Sequence, residues 1–428
     1  MYDAAAERDY QQQVQRNLRR NFSVHLVHGL LGQTGFRLVS APTFIPAYIL
    51  LLSGGSDIAV GLALSLWGLG ACITPLFSAS LIGHRHRVLP VGFWTGGAMR
   101  VAVLGLGLAG LLLEGDAALW AALVSMALFG VFAGMQMVVF QTLLSKVIPV
   151  SHRGRLMGLR NFLASLTTAV VAWFGGNYLV GSPPTAPGYG WMFLVAFALT
   201  TTGLLTLVLV KEPRPPSVAE KRSFTEHLAE MPGFLRKEPE FARFVAARAL
   251  STLGRMALPF YILYAGESIG LSGETLASLT VSFTIAATFA NLFWGWLADQ
   301  YGFRLCLLLS IGLWIAATLA LLASTDYWVV VGIFAAIGAC QEGFRLAAFS
   351  LPMEFGNREH TSLRLAISSS VAEAAGSIAP LLGGFIAAWM GYGAVFLSAT
   401  ACLLVGFTVL LLTVRDPRHS AGGEVTGQ

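Results

Sequence analysis

Gly295-Trp296-Leu297-Ala298-Asp299-Gln300-Tyr301-Gly302-Phe303-Arg304 lies between two long apolar runs. It packs a tight polar turn into a chain that is otherwise largely lipid-soluble. Gly302 permits a sharp bend that a residue with a Cβ would resist. Asp299 and Arg304 place opposite charges at two adjacent helix ends. Around this turn the composition is that of a membrane protein. Of 428 residues, 55% are hydrophobic and 11% charged, where a soluble domain carries roughly 25% charged residues. The apolar runs are continuous and do not alternate as barrel strands do. The chain therefore reads as an all-α integral membrane protein.

Twelve apolar spans of roughly 20 residues or more can be drawn: 22–52, 58–82, 88–113, 117–146, 155–180, 190–210, 240–265, 273–298, 303–324, 327–350, 363–389 and 392–414. Pro42 and Pro46 should bend span 1 without ending it, because neighbours and water can satisfy the freed carbonyls. The loops after odd spans contain no Lys or Arg, and their charges are acidic: Asp57, Glu114, Asp116, Glu267, Glu274 and Asp326. The loops after even spans carry Arg85 and Arg87, Arg153 and Arg155, a basic linker, Arg304 and Arg358. The positive-inside rule then puts both termini and every even loop in the cytoplasm. The net charge of +5 is on this reading a topology signal and not a nucleic-acid surface. Residues 1–21 read as a polar cytoplasmic tail without a cleavable leader. A first bundle over 22–210, a linker over 211–239 with a possible surface helix, a second bundle over 240–414 and a tail over 415–428 complete the division. The four cysteines have neither metal-ligand spacing nor a disulfide framework.

The two halves look like diverged copies, with Leu81 to Leu89 standing in the first where Leu297 to Leu305 stand in the second. The opening stretch resembles the Gly-x-Leu-Ala-Asp-x-x-Gly-x-Arg signature of the major facilitator superfamily. With the span number and linker, that resemblance implies twelve transmembrane helices in two pseudo-symmetric six-helix bundles. It also implies a substrate site between them near the membrane midplane. Gly295, Asp299, Gly302 and Arg304 would form a conformational lock. Two departures stand out. The first-half loop has His84, Arg85, His86 and Arg87 but no acid, so Asp299 and Arg304 are the surviving half of a two-fold lock, expected to hold the outward-facing state. The Gly-Pro-x-x-Gly-Gly pattern of exporters belongs in span 5, which has Gly175-Gly176 without proline. A similar run, Gly376 to Gly384 with Pro380, lies instead in span 11, which is expected to bend and slide.

Ionisable groups inside a bilayer are costly and tend to line a pathway. Arg37, Arg100, Arg255 and Arg345 lie well inside spans, against the carboxylates Glu342 and Glu373. Glu342 and Arg345 share a helix face and can form a structural or a gating pair. Glu373 is the leading proton-coupling candidate, with Glu342 second; Glu373 can instead pair with Arg255. Arg37 and Arg255 sit at matching depths in symmetry-related spans and suit an anionic group, or they cap carbonyls freed by Pro42 and Pro259. Gln136 and Gln341 are candidate substrate hydrogen-bonders. Arg100 reads as structural. His25 and His28, three apart, lack further ligands for a metal.

No phosphate-binding loop, nucleophile elbow or zinc-protease helix is present, so no enzyme activity and no cofactor are expected. The sequence reads as a monomeric secondary transporter of a bacterial inner membrane. It would move a small molecule by alternating access, coupled to protons. Efflux of amphipathic, drug-like compounds leads, with organic-anion transport as the alternative. A sensor that has lost transport, or a membrane-embedded enzyme, is the reading from another class.

Overall fold

A computed structural model describes residues 4–82, 85–215, 233–355 and 361–415. Gly83 and His84, the middle of the linker with its expected surface helix, Arg358 and its neighbours, and the C-terminal tail lie outside the described residues. Among the described residues the structure is helical, with no strand.

In chain order the α-helices are α1 (Ala4–Arg16), α2 (Leu18–Ser40), α3 (Phe44–Leu52), α4 (Asp57–Ile82), α5 (Leu89–Leu112), α6 (Gly115–Val147), α7 (Val150–Phe174) and α8 (Ala186–Thr206). The second half contains α9 (Pro239–Leu253), α10 (Leu258–Ile269), α11 (Gly273–Tyr301), α12 (Phe303–Leu322), α13 (Tyr327–Ser350) and α14 (Thr361–Thr413). Among the described residues, nine helices are long and apolar enough to cross a membrane, or ten when α2 and α3 count as one bent span. α14 holds two spans, because Gly391 at φ 81° breaks it. With the pair α9 and α10, joined by a 3-10 turn over Gly254–Ala257 and each too short to span alone, the set is consistent with the twelve expected spans.

Spans 1 and 7 are both broken, and prolines account for it. Ala41, before Pro42, is extended at φ −62°, ψ 140°, as expected where a following proline disfavours the helical region. The chain resumes as α3 at an angle of 47°. In span 7, Pro259 occupies the first turn of α10, where its missing N–H costs no helical bond.

The polar N-terminus is helical from Ala4 and docks on the bundle. Tyr10 Oη donates to Lys146 O at 2.9 Å, Arg20 Nε to Leu209 O at 2.7 Å, and Asn21 exchanges hydrogen bonds with the Lys211 backbone.

One end of the bundle carries the acidic odd-span loops and the other the basic even-span loops. Exposed tryptophans ring both ends: Trp120, Trp191, Trp328 and Trp389 near the acidic loops, Trp94 and Trp296 near the basic ones. Indole rings favour the two membrane–water boundaries.

The apolar core is shared at one end and split at the other. Near the acidic loops a single cluster joins first-half residues such as Phe44, Val60 and Phe129 to second-half residues such as Phe260, Leu279 and Phe396. Near the basic loops the halves have separate cores. Leu143, Val147 and Leu204 belong to one, and Phe244, Trp314 and Leu410 to the other.

The halves approach most closely along two crossings. Span 5 meets span 8 where Gly176 lies against the Gly273 carbonyl, and Gly273 N–H donates to Gly181 O at 2.8 Å. Span 2 meets span 11 where Gly384 lies against the Asp57 carbonyl and Gly61 against that of Pro380. At each glycine a Cβ would strike backbone, so only glycine lets the helices approach this closely. Leu381 N–H donates to Ser65 Oγ across the second crossing at 3.0 Å. Towards the basic end the same faces part. Gly158 lies five turns before Gly176 and Gly295 about six turns after Gly273, yet a Cβ at either would meet no atom within 4 Å. A cleft thus opens between the halves at the basic end.

Candidate functional site

The breaks in spans 1 and 7 set two arginines at equivalent places beside the cleft. Arg37 lies in the last turn of α2 and Arg255 in the 3-10 turn. Neither donates to a carbonyl freed by proline. Arg37 Nη1 donates to Ser165 Oγ on α7, whereas Arg255 Nη1 pairs with Glu373 Oε2 on α14 at 3.4 Å. Ser165 and Glu373 are themselves equivalent, each eleven residues before the crossing glycine of its span, Gly176 or Gly384. The site is therefore a two-fold repeat with one substitution: an acid in the second half faces its arginine, and a serine in the first.

Glu373 is 52% exposed at the side chain and Arg255 37%, although both lie in the middle of spanning segments. Glu373 lies one turn towards the basic end from Ser377, which packs on Gly68 of the first half. It sits where the second crossing gives way to the cleft, within electrostatic reach of Cys72 on α4.

From α13, Glu342 and Arg345 form an ion pair one helical turn apart, with Arg345 67% exposed and Glu342 23%. Both charges act on Arg37 across the cleft. Gln341, beside them, has a buried Nε2 without a partner. These residues converge on one region between the halves. Gln136 stands apart from it. Its Oε1 accepts from Thr95 Oγ1 at 2.7 Å, within the first half near Arg100. Arg100 in turn donates to Thr200 O and Gly96 O, both at 2.7 Å.

The opening sequence stretch folds as the turn between α11 and α12. Gly302 has φ 88°, and its N–H closes α11 on Ala298 O at 2.9 Å. Arg304 donates to Val414 O at 2.7 Å and Leu411 O at 2.9 Å, so the start of span 9 is tied to the end of span 12. The first half ties the equivalent elements with the opposite charge. Glu212, just after span 6, accepts from the Val88 and Leu89 N–H groups at 2.7 and 3.0 Å, and Lys146 Nζ stands 3.8 Å away. A carboxylate at a helix N-terminus is favoured by the free N–H groups and the helix dipole. A linker acid thus makes in the first half the tie that Arg304 makes in the second.

Three buried arginines escaped the sequence reading: Arg160, Arg248 and Arg364. They lie one (Arg364), five (Arg160) and eight (Arg248) residues inside the basic ends of their spans, where a long side chain can turn to water or to core. Sequence position alone does not separate Arg160 from Arg345, which lies equally deep. Arg160 lies over Gly29, with its guanidinium 4.3 Å from the Phe140 ring centroid. His25 and His28 contact the same ring. Arg248 Nη1 donates to Ser368 Oγ at 2.7 Å. No cluster of three metal-ligating side chains occurs among the described residues.

The Major Facilitator Superfamily model matches residues 30–262 and 244–427. Over 167 residues the chain is 30% identical to the multidrug resistance protein MdtG of Dickeya zeae (strain Ech586) and to that of Serratia proteamaculans (strain 568), a stretch covering 38% of this chain and 40% of each relative's length. Similar solved structures are a nucleoside transporter, NupG (D323A mutant), with TM-score 0.73 and 14% identity over 92% of this chain and all of that one, and a D-xylose–proton symporter, with TM-score 0.70 and 13% identity over 94% and 99%. These two show the fold alone. The repeated crossings, the cleft and the match along nearly the whole sequence lead to one assignment: the chain belongs to the major facilitator superfamily of secondary transporters.

Proposed function

We propose that the chain exports amphipathic, drug-like small molecules across a bacterial inner membrane, driven by protons. Both termini and the basic loops would face the cytoplasm, and the cleft would then be the inward-facing state of an alternating-access cycle. The observation that carries this reading is the Arg255–Glu373 pair. It is half-exposed at the level where contact between the halves ends, where a proton arriving at the carboxylate releases the arginine. The partial similarity to MdtG proteins, named for multidrug resistance, supports export. The lock of Gly295, Asp299, Gly302 and Arg304 would engage when the cleft closes, and Pro380, at the second crossing, would let span 11 bend as it does.

The test is transport in proteoliposomes under an imposed pH gradient. The probes are 2-naphthalenesulfonate and (2-naphthyl)trimethylammonium, one apolar ring with opposite charges. Gradient-driven flux of at least one probe is expected in the native protein. In Glu373→Gln it should fall by at least about tenfold, the general scale of a lost coupling free energy above 1.4 kcal/mol. Exchange without a gradient should survive. Undiminished gradient-driven flux in the variant overturns the assignment of Glu373.

A further inference from the structure

The repeat at the centre of the molecule is incomplete in charge. In the second half Arg255 has Glu373. In the first, the equivalent Arg37 has Ser165, and among the described residues no carboxylate lies within ion-pair distance of it. Across the cleft Glu342 is engaged by Arg345 through both Nε and Nη2. Arg37, Arg345 and Glu342 together leave one positive charge facing the space between the halves. Gln341 Nε2, a buried donor without a partner, lies next to Glu342 in sequence. A guanidinium carries five N–H donors in a planar fork, and Arg37 uses one nitrogen for its bond to a hydroxyl.

We propose that the carried compound is an amphipathic anion, whose carboxylate or sulfonate seats on Arg37 in the position that Glu373 occupies beside Arg255. The acid absent from the first half arrives with the substrate. Arg345 closes the seat from the opposite side of the cleft, and the apolar body lies against the walls of the cleft. Such a seat ties substrate arrival to the halves coming together, because the anion is bound by one arginine from each. This inference rests on the transporter reading above and sharpens its substrate class.

The experiment measures equilibrium binding of the two naphthyl probes to the purified protein in lipid nanodiscs. 2-Naphthalenesulfonate should bind the native protein at least tenfold more tightly than (2-naphthyl)trimethylammonium. Arg37→Gln should lose at least tenfold in sulfonate affinity without loss for the cation. Ser165→Glu should do the same while keeping Arg37, since it recreates the second-half pair. That second variant separates loss of the seat from loss of the fold. Equal affinity of the native protein for both probes overturns the proposal, as does full sulfonate affinity in either folded variant. Failure of the transport reading shows differently: neither probe is moved in proteoliposomes although the sulfonate still binds through Arg37.

Discussion

Glu238→Ala should destabilise the protein more than Glu342→Ala, lowering stability by about 3 kcal/mol. Glu238 grips Arg364 with both carboxylate oxygens, each at 2.7 Å, and the Arg364 side chain is only 1% exposed. Removing one partner of such a pair leaves a buried charge, which costs about 3–5 kcal/mol. The 26% exposure of Glu238 admits water and favours the lower end. The bond from Arg364 Nη1 to Phe355 O at 2.6 Å persists but brings no negative charge. Glu342→Ala is the contrast. Its partner Arg345 is 67% exposed, and an exposed pair contributes at most about 1 kcal/mol. Thermal unfolding in detergent, followed by tryptophan fluorescence, should show a clearly lower midpoint for Glu238→Ala than for Glu342→Ala. Equal midpoints would refute the ranking. The pair also bears on the site, because Glu238 precedes span 7 and Arg364 begins span 11. These two spans carry Arg255 and Glu373, and the clamp fixes them to one another at their basic ends.

Most of the architecture was legible in the sequence because a bilayer leaves a chain few choices. Backbone groups in lipid must bond within a helix, so long apolar runs declare their structure directly. Breaks were legible where proline caused them, as at Pro42. The crossings were less so. Gly176 and Gly384 were visible as glycines, but nothing local said that each meets a backbone carbonyl of the other half. Within the site, Glu342 with Arg345 followed from helical spacing alone. Arg255, 118 residues away in sequence, could be offered as the partner of Glu373 only as an alternative to a lone proton-coupling carboxylate, because no local spacing fixes a contact between two spans. The difference between Arg37 and Arg255 lay beyond the sequence for the same reason. Both are arginines at matching depth, and only the fold sets a serine against one and an acid against the other. Gln136 looked equivalent to Gln341, but Thr95 engages it inside the first bundle. Glu212 was hidden in a linker, where a carboxylate ordinarily means no more than solubility.

Gly384→Leu and Gly158→Leu should both stop transport, by trapping opposite states. At Gly384 a Cβ would stand 2.7 Å from Asp57 O and 3.2 Å from Ile58 Cα. Backbone atoms cannot rotate aside as a side-chain tip can, so the crossing itself must open. Overpacking of this kind costs about 1–3 kcal/mol, equivalent to a shift of about 5- to 150-fold between two conformations. The shift should favour separation at the acidic end. Thr43 reports it, being buried with its hydroxyl 2.7 Å from that of Thr280 in the other half. A cysteine placed there by Thr43→Cys should react with a membrane-impermeant maleimide several-fold faster in Gly384→Leu than in an otherwise native background. Gly158 has the reverse relation to the cycle. Nothing lies within 4 Å of a Cβ there now, so a side chain can leave the backbone without opening a helix contact of the present state. Leucine blocks span 5 from meeting span 8 when the cleft closes. In Gly158→Leu the Thr43→Cys label should therefore react more slowly than in the native background, with thermal stability not lowered. If both glycine variants moved the labelling rate in the same direction, the two crossings would not be alternating contacts of one rocking motion.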